Sequence, residues 1–211
     1  MGQVETSMTR RQVYRKSETS RQQVLDAAMR AFGGRGLINT SVQDVADAAG
    51  MSKGAIHYHF ESKDDLIVQV LRHACNRISA RIHAVFDIPG PPLERVRRAI
   101  AEMWAVRAEG TPEIRVFLEV MVRAVHDEPL RKAVGEALHD ARTQVVETGL
   151  KGLMELGLKP RVPVEVIPRM MLATLDGLAI HNMFDPASSE EVAAMLQMIE
   201  RIALALFDLP G

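Results

Sequence analysis

Cysteine is nearly absent from this sequence, because Cys75 stands alone among 211 residues. A single thiol excludes an intramolecular disulfide framework and any metal site built from several cysteines, which indicates a reducing compartment. Long apolar segments are absent as well. No stretch reaches the roughly 18 residues of a membrane span, and residues 1–23 lack the apolar core of a signal peptide. We therefore expect a soluble cytoplasmic protein with no membrane partner.

Aromatic residues are also scarce, with 6 Phe, 2 Tyr and 1 Trp. Strands favour aromatic and β-branched side chains, whereas helices favour Ala, Leu, Met, Glu and Arg, which dominate here. The 47% hydrophobic and 25% charged residues are those of an ordinary globular protein. The composition predicts an all-α protein and disfavours a β-sandwich or barrel.

The sequence motifs of several large enzyme classes are missing. There is no P-loop, GxSxG, GxGxxG or HExxH pattern. His126, Asp127 and Glu128 could begin a metal site or a charge relay, but adjacent residues at a helix end point in different directions, so we interpret them as a solvated helix terminus. We expect no catalysis, no cofactor and no bound metal.

The net charge of −1 conceals a mild asymmetry along the chain. Residues 1–90 hold 12 Lys and Arg against 9 Asp and Glu, whereas residues 91–211 hold 14 against 18. The first part is therefore +3 and the rest −4. This difference is too small to identify a nucleic-acid-binding protein alone.

The first 35 residues divide into a polar segment and an amphipathic one. Residues 1–20 show no apolar periodicity, which predicts a flexible basic arm. This arm either adds phosphate or minor-groove contacts or is a solvated tail. From Arg21, apolar residues recur every three or four positions up to Phe32, which predicts a helix ending at Gly33-Gly34 or Gly36. The basic residues of the arm are Arg10, Arg11, Arg15 and Lys16.

Two short helices joined by a tight turn follow between Ser41 and Phe60. The first is expected over 42–49, after the cap residues Asn39-Thr40-Ser41, and ends at Gly50. The second begins after the cap residue Ser52 and runs to about residue 59. Small alanines occur where the two helices must cross closely. This pattern predicts a helix-turn-helix, whose second helix can enter the major groove of DNA.

A long fourth helix and a C-terminal helical region complete the prediction. The fourth helix starts after Ser62 and ends before Pro89-Gly90-Pro91-Pro92, because proline cannot continue a helix. Further helices are expected near 93–109, 112–126, 129–157, 163–183 and 189–208, and no strand pattern is evident. The last helix carries an apolar stripe wider than one protomer needs, which predicts a homodimer formed through the two C-terminal helices.

One group of residues between 21 and 66 is more specific than a general helix-turn-helix. It comprises Phe32, Gly36, the run VADAAGMSKGAIHYHFESKDDL from Val45, and Phe60-Glu61-Ser62-Lys63 before Leu66. Many helix-turn-helix families share a glycine in the turn, but a glycine-led third helix that ends in His-Phe and is followed by Ser-Lys is less generic. With these residues the segment resembles the DNA-binding domain of the TetR family. The resemblance implies a DNA-binding domain at 21–66, joined by a long helix to an effector-binding and dimerisation domain at 67–211.

The same resemblance implies which residues contact DNA. Position 57 is usually Tyr in the family, and the histidine here keeps a donor but shortens the reach. Only Lys53 and Gln43 offer long polar reach to base edges, so DNA shape is expected to add specificity. The alternative is a structural helical hairpin with a solvated polar face. The expected DNA-binding residues are Thr40, Ser41, Gln43, Lys53, Gly54, Ala55, His57, Tyr58, His59 and Lys63.

The region after Pro92 resembles the variable effector-binding domain of the family and carries no specific ligand motif. Methionines suit a pocket that adapts to varied apolar ligands, but plain core packing explains each of them as well. Asp176 and His181 lie on an apolar helix, where a polar group needs a ligand or a structural partner. The stretch from Asp176 to His181 resembles the choline-responsive branch of the family, which does not establish choline as the ligand. The candidate lining is Met103, Trp104, Phe117, Met121, Met170, Met171 and Met183, with Arg107, Arg123, Asp176, His181 and Asn182.

These expectations describe a ligand-responsive transcriptional regulator. The principal hypothesis is a homodimeric repressor that binds palindromic operator DNA and is released by a small-molecule effector. An activator or a corepressor-dependent regulator would have the same sequence features. A helical protein-interaction module is the alternative from a different class, and dimer formation through the C-terminal helices distinguishes the two.

Overall fold

The computed structural model describes residues 2–151, 154 and 157–208, with side chains from Ser17 onward except that of Pro92. Almost all of this part of the chain is helical, so the predicted all-α class is confirmed. The helices are α1 (Gly2–Arg35), α2 (Val42–Ala49), α3 (Lys53–His59), α4 (Lys63–Phe86), α5 (Pro92–Ala108), α6 (Pro112–Ala124), α7 (Glu128–Gln144), α8 (Val166–Phe184) and α9 (Ser189–Ala205), with a π-helical segment (Val145–Leu150) directly after α7.

The predicted caps of the three helices that follow α1 are confirmed. Ser41, Ser52 and Ser62 accept hydrogen bonds from the backbone N–H three residues later, which satisfies donors that the first turn leaves free. Gly50 ends α2 in the left-handed conformation with φ +66°, which glycine adopts without steric cost. The turn between α2 and α3 is therefore fixed by local residue chemistry.

The first helix begins much earlier than residue 21, where the sequence predicts it to start. The backbone is helical from Gly2 and stays helical through Gly33 and Gly34 until Gly36, where φ is +86°. No proline or glycine occurs between Gln3 and Phe32, and most of the polar residues there have good helix propensity. The helix thus continues where no apolar periodicity marks it.

Two further differences occur in the C-terminal half. The single helix predicted over 129–157 changes at Val145 into the π-helical segment, where β-branched Val145 and Val146 disfavour regular α-helix and Thr148 Oγ1 donates to Gln144 O at 2.5 Å. A short antiparallel pair, β1 (Lys159–Pro160) with β2 (Phe207–Asp208), was not predicted. Strands of two residues are too short to give an alternating pattern.

The largest hydrophobic core joins α1–α4 to α6 and α7. Buried side chains of the head, by which we mean residues 21–66, include Phe32, Ile56 and Leu66, and they belong to the same cluster as Val116 and Val120 of α6. A second cluster joins α5, α8 and α9. Helix α6 is therefore in direct contact with the head, and a movement of α6 acts on the head directly.

Candidate DNA-binding surface and buried cavity

The outward face of α3 is the most exposed part of the head. Lys53, Gly54, His57 and Tyr58 are exposed, and the Tyr58 side chain retains 78% of its accessible surface. Ile56 points inward and is 1% exposed. Positions 53, 54, 57 and 58 share one side of a helix because they are spaced by one and four residues. The helix therefore presents a basic and aromatic face around a small glycine.

A groove of about 410 Å³ lies between the N-terminal end of α2 and α3. Gln43 Nε2 donates to Asp47 Oδ1 at 2.7 Å, and Lys63 Nζ donates to the Leu37 carbonyl oxygen at 2.7 Å. These bonds hold both polar side chains beside the groove. Its lining brings together Thr40, Ser41, Gln43, Lys53, His57 and Lys63 of the predicted set, and adds Ile38, Asn39, Val42 and Asp44.

The prediction of a DNA contact for the Thr40 side chain is not supported by its environment. Thr40 is 0% exposed, and its Oγ1 donates to Gly36 O at 2.8 Å, with Ala31 O at 3.3 Å. A buried hydroxyl needs such a partner. The side chain therefore fastens the end of α1 to the start of α2 and cannot reach a phosphate.

The remaining predicted residues of α3 are less exposed than its outward face. Ala55 and His59 are half-buried. The His59 ring packs edge-on against Tyr58, with 5.0 Å between ring centroids, and against Phe60 at 6.2 Å. Arg21 Cζ lies 5.4 Å from the centroid of the Phe60 ring. His59 thus supports the tyrosine from behind.

The start of α2 carries a carboxylate that stays ionised. The hydroxyl and the backbone N–H of Ser41 donate to Asp44, and Arg35 Nη1 lies 3.2 Å from Asp44 Oδ1. The hydroxyl bond, the backbone bond and the nearby arginine all lower the pKa of Asp44 below its ordinary value. This capping box keeps the first turn of α2 rigid beside the groove.

A cavity of about 510 Å³ lies between α4 and α7, and residues of α5, α6, α8 and the π-helical segment complete its walls. Helices α4 and α7 run in the same direction. Arg72, in the first half of α4, bonds to Glu136 at 3.0 Å, and Phe86, at the end of α4, packs on Gly149 in the π-helical segment after α7. The volume is that of a small-molecule site. Most of the lining is apolar, and the Arg72–Glu136 ion pair lies along the edge nearer the head. The apolar lining is Ile78, Ile82, Ile114, Phe117, Ala133, Ala137, Leu138, Ala141, Val145 and Leu172.

Three residues of the predicted ligand lining face this cavity, namely Arg107, Phe117 and Asp176. Arg107 Nε donates to Asp176 Oδ1 at 2.6 Å, and its Nη1 donates to Met103 O at 2.8 Å. Arg107 is 9% exposed, so its charge is balanced inside the protein instead of by water. The pair links α5 to α8 at the cavity wall.

The other predicted lining residues lie elsewhere. They make contacts at other places along their helices or on other sides of them. Met103 and Trp104 pack in the cluster of α5, α8 and α9, Met171 packs beside it, and Met121 packs against the core of the head. Met170, His181 and Met183 are exposed, Arg123 Nη2 donates to Asp64 Oδ1 at 2.7 Å, and Asn182 Oδ1 accepts from the Ala187 N–H.

Small residues on α7 create the space that the sequence analysis missed. Ala133, Ala137 and Ala141 recur every four residues and line the cavity with methyl groups. Cys75 of α4 lies in the same wall, and burial followed by the negative charge of Asp140 raises the pKa of its thiol to about 11. The alanine spacing was the signal that could have located the cavity.

The outer surfaces of α8 and α9 are unusually apolar. Large side chains are exposed there without a covering element in the protomer. Within the described residues, no helix is long and apolar enough to cross a membrane. In that same part of the chain, no group of three or more His, Cys, Asp or Glu residues could hold a metal ion. The exposed apolar residues of this surface are Val166, Met170, Ile180, Met183, Phe184, Met198 and Ile202.

Comparison with known proteins agrees with both halves of this architecture. Residues 24–70 match the family model described as "Bacterial regulatory proteins, tetR family", and residues 92–208 match "BetI-type transcriptional repressor, C-terminal". The HTH-type transcriptional regulator PksA of Bacillus subtilis is 26% identical over 174 residues, which cover 80% of this chain and 81% of that protein. BetI of Brucella canis is 24% identical over 194 residues, covering 90% and 93%.

Solved structures give the same result. A transcriptional regulator from a Rhodococcus species superposes with a TM-score of 0.72 at 25% sequence identity, covering 90% of this chain and 99% of its own. The relatives are DNA-binding regulators and not enzymes. The chain belongs to the TetR family and is a transcriptional regulator with an N-terminal helix-turn-helix DNA-binding domain.

Proposed function

We propose that the protein is a homodimeric, cytoplasmic repressor that binds a palindromic operator and releases it when a small molecule occupies the α4–α7 cavity. The outward face of α3 is the observation that carries the proposal. Lys53, His57 and Tyr58 supply phosphate and base-edge donors on that face, and Gly54 permits close approach to DNA. Two such faces about one helical turn apart, roughly 34 Å, fit successive major grooves.

The exposed apolar face of α8 and α9 supports the dimer. Met198 and Ile202 of α9 retain 62% and 53% of their accessible surface, and a second copy of the chain would cover them. Replacing both with lysine should yield a monomer in sedimentation at micromolar concentration. Val122→Lys, at a still more exposed valine on α6, is the control for an added surface lysine and should remain dimeric. A dimeric double variant would exclude this face as the interface.

Selection of bound duplexes from a random DNA pool at controlled salt tests operator binding. An inverted repeat is the expected product, and recovery of no sequence above background would contradict the proposal. Lys53→Ala removes one positive charge per protomer from the surface that faces DNA, so the slope of log affinity against log salt should fall by about 2 in the dimer. Lys132→Ala, an exposed lysine of α7, is the control and should leave the slope unchanged.

Transcription from a promoter that overlaps the selected operator tests the sign of regulation. The proposed repressor lowers the yield of transcript in a purified system, whereas an activator raises it.

A library of small molecules can then be screened for release of the labelled operator. Ala137→Phe fills the cavity from α7, and at a protein concentration that saturates the operator the variant should no longer respond to any compound that releases the wild-type protein. Release that persists in this variant would mean that the effector binds elsewhere.

A further inference from the structure

One residue of the head is held from two sides. Leu37 follows Gly36 at the end of α1, and its backbone N–H donates to Glu119 Oε1 at 2.8 Å. The carbonyl oxygen of Leu37 accepts from Lys63 Nζ at 2.7 Å. Glu119 belongs to α6 in the effector-binding region, whereas Lys63 belongs to the head. The Glu119 carboxylate therefore forms a direct hydrogen bond between α6 and the head.

The backbone at this point is shaped for that bond. Gly36 has φ +86°, and a methyl group on it would lie only 3.2 Å from Glu119 Oε1. Glycine takes the left-handed angle without strain, and a methyl group here would make the carboxylate give way by a few tenths of an ångström. The Gly36 carbonyl accepts from Thr40 Oγ1 at 2.8 Å, one residue before the cap of α2. A displacement of Glu119 thus reaches the start of the helix-turn-helix through two consecutive bonds.

The opposite side of α6 forms part of the cavity wall. Ile114 and Phe117 line the cavity, and Glu119 lies two residues beyond Phe117. Two residues correspond to about 200° of helical rotation, so Glu119 faces away from the cavity and toward the head. A ligand that pushes on Phe117 must move Glu119, because both belong to one rigid helix. The N-terminal end of α6 is pinned by Pro112, which packs directly on Gly33.

We propose that Glu119 is a positioning residue that transmits occupancy of the cavity to the DNA-binding head, through its bond to the Leu37 N–H. The inference rests on the proposed function, in which the cavity receives an effector. Glu119 itself contacts neither DNA nor ligand. Its role is to fix the turn between α1 and α2 in one orientation, which movement of α6 then alters.

Hydrogen exchange of the Leu37 amide tests the bond in the full-length dimer. Glu119→Ala removes the acceptor, and exchange at Leu37 should accelerate about tenfold or more. Glu119→Gln keeps a side-chain carbonyl at the same distance and should stay within about threefold of wild type. Glu113→Ala is the matched control, because this other α6 carboxylate bonds to Arg77 Nε at 2.8 Å and not to the turn. Unchanged exchange in Glu119→Ala would overturn the proposal.

Coupling is measured with Ala137→Phe as a surrogate for a bound ligand, on the duplex recovered by selection. The substitution should change operator affinity by about 5-fold or more in the wild-type background, a typical allosteric coupling. In the Glu119→Ala background the same substitution should change it less than about twofold, whereas Glu119→Gln and Glu113→Ala should preserve the full effect. Ala137→Leu repeats the test with a smaller side chain if the phenylalanine variant fails to fold.

The outcomes separate the two proposals. If neither cavity-filling substitution changes operator affinity in the wild-type background, the cavity does not control DNA binding, and both the effector-release function and the role of Glu119 are wrong. If cavity filling changes affinity equally with and without Glu119, the effector-release function survives, and the signal travels by another route.

Discussion

Two adjacent glycines near the end of α1 allow a sharp test of how the head packs on α6. A methyl group on Gly33 would lie 2.6 Å from Pro112 Cα and 2.8 Å from Pro112 O, whereas a methyl group on Gly34 would meet nothing within 4 Å. Both glycines are within α1, and neither has a positive φ. Gly33→Ala and Gly34→Ala therefore share the gain in helix propensity and differ only in the contact with α6.

The magnitudes follow from that difference. Alanine stabilises a helix interior by about 0.5–1 kcal/mol relative to glycine, so Gly34→Ala should raise the free energy of unfolding by that amount. Carbon atoms in contact lie about 3.5–4.0 Å apart, so Gly33→Ala forces the backbone of α6 to move by about 1 Å. Overpacking of this kind costs about 1–3 kcal/mol, and Gly33→Ala should be less stable than Gly34→Ala by that amount.

Urea unfolding followed by circular dichroism, at one fixed protomer concentration, measures both variants against wild type. The fixed concentration is needed because dissociation of a dimer contributes to its apparent stability. Equal midpoints and slopes for the two variants would refute the close packing of α1 on α6. A destabilised Gly34→Ala variant would instead refute the regular helical geometry at that position.

Three further predictions concern buried polar groups. Arg107→Leu leaves Asp176 unpaired and should lower the free energy of unfolding by about 3 kcal/mol, while replacing both residues with leucine should recover most of the loss; an equally unstable double variant would contradict the ion-pair account. Burial raises the pKa of Cys75 to about 11, and only the thiolate reacts with iodoacetamide. The rate of alkylation should therefore rise about tenfold per pH unit between pH 7 and 10, and a plateau near pH 9 would refute the raised pKa. Thr40→Val should cost about 1–2 kcal/mol of stability yet leave the operator affinity of the folded protein within about twofold of wild type; a tenfold loss of affinity in the folded variant would show that Thr40 contacts DNA after all.

The helix-turn-helix was predictable because its signals are local. Ser41, Gly50 and Ser52 act on the backbone within three residues of their own positions, so the sequence alone locates the ends of α2 and α3. The start of α1 was not predictable, because a polar helix has no apolar stripe to mark it. The side chain of Thr40 was misjudged since a threonine before a helix can face either solvent or the preceding helix.

The cavity was only partly predictable, because it depends on how distant helices meet. Periodicity shows that α5 and α8 have apolar sides, but it does not tell which neighbour covers each side. Met103 and Trp104 were therefore assigned to a pocket although they pack between helices. Asp176 was singled out because a charge on an apolar helix needs a partner, and Arg107 supplies that partner. The same argument also selected His181, which is exposed, because the outer end of an apolar helix can leave a polar group in water.

Helix α8 contributes to two different surfaces along its length. Leu172 and Asp176 line the cavity, whereas Ile180 and Met183 of the same helix are exposed on the surface proposed to meet the second copy. A ligand that presses on the N-terminal half of α8 shifts its C-terminal half as well, because both belong to one helix. In the proposed dimer, occupancy of one subunit would therefore be felt by the other, and effector titrations should give Hill coefficients that differ from one. The response to effector concentration would then be a property of the pair of subunits and not of either one alone.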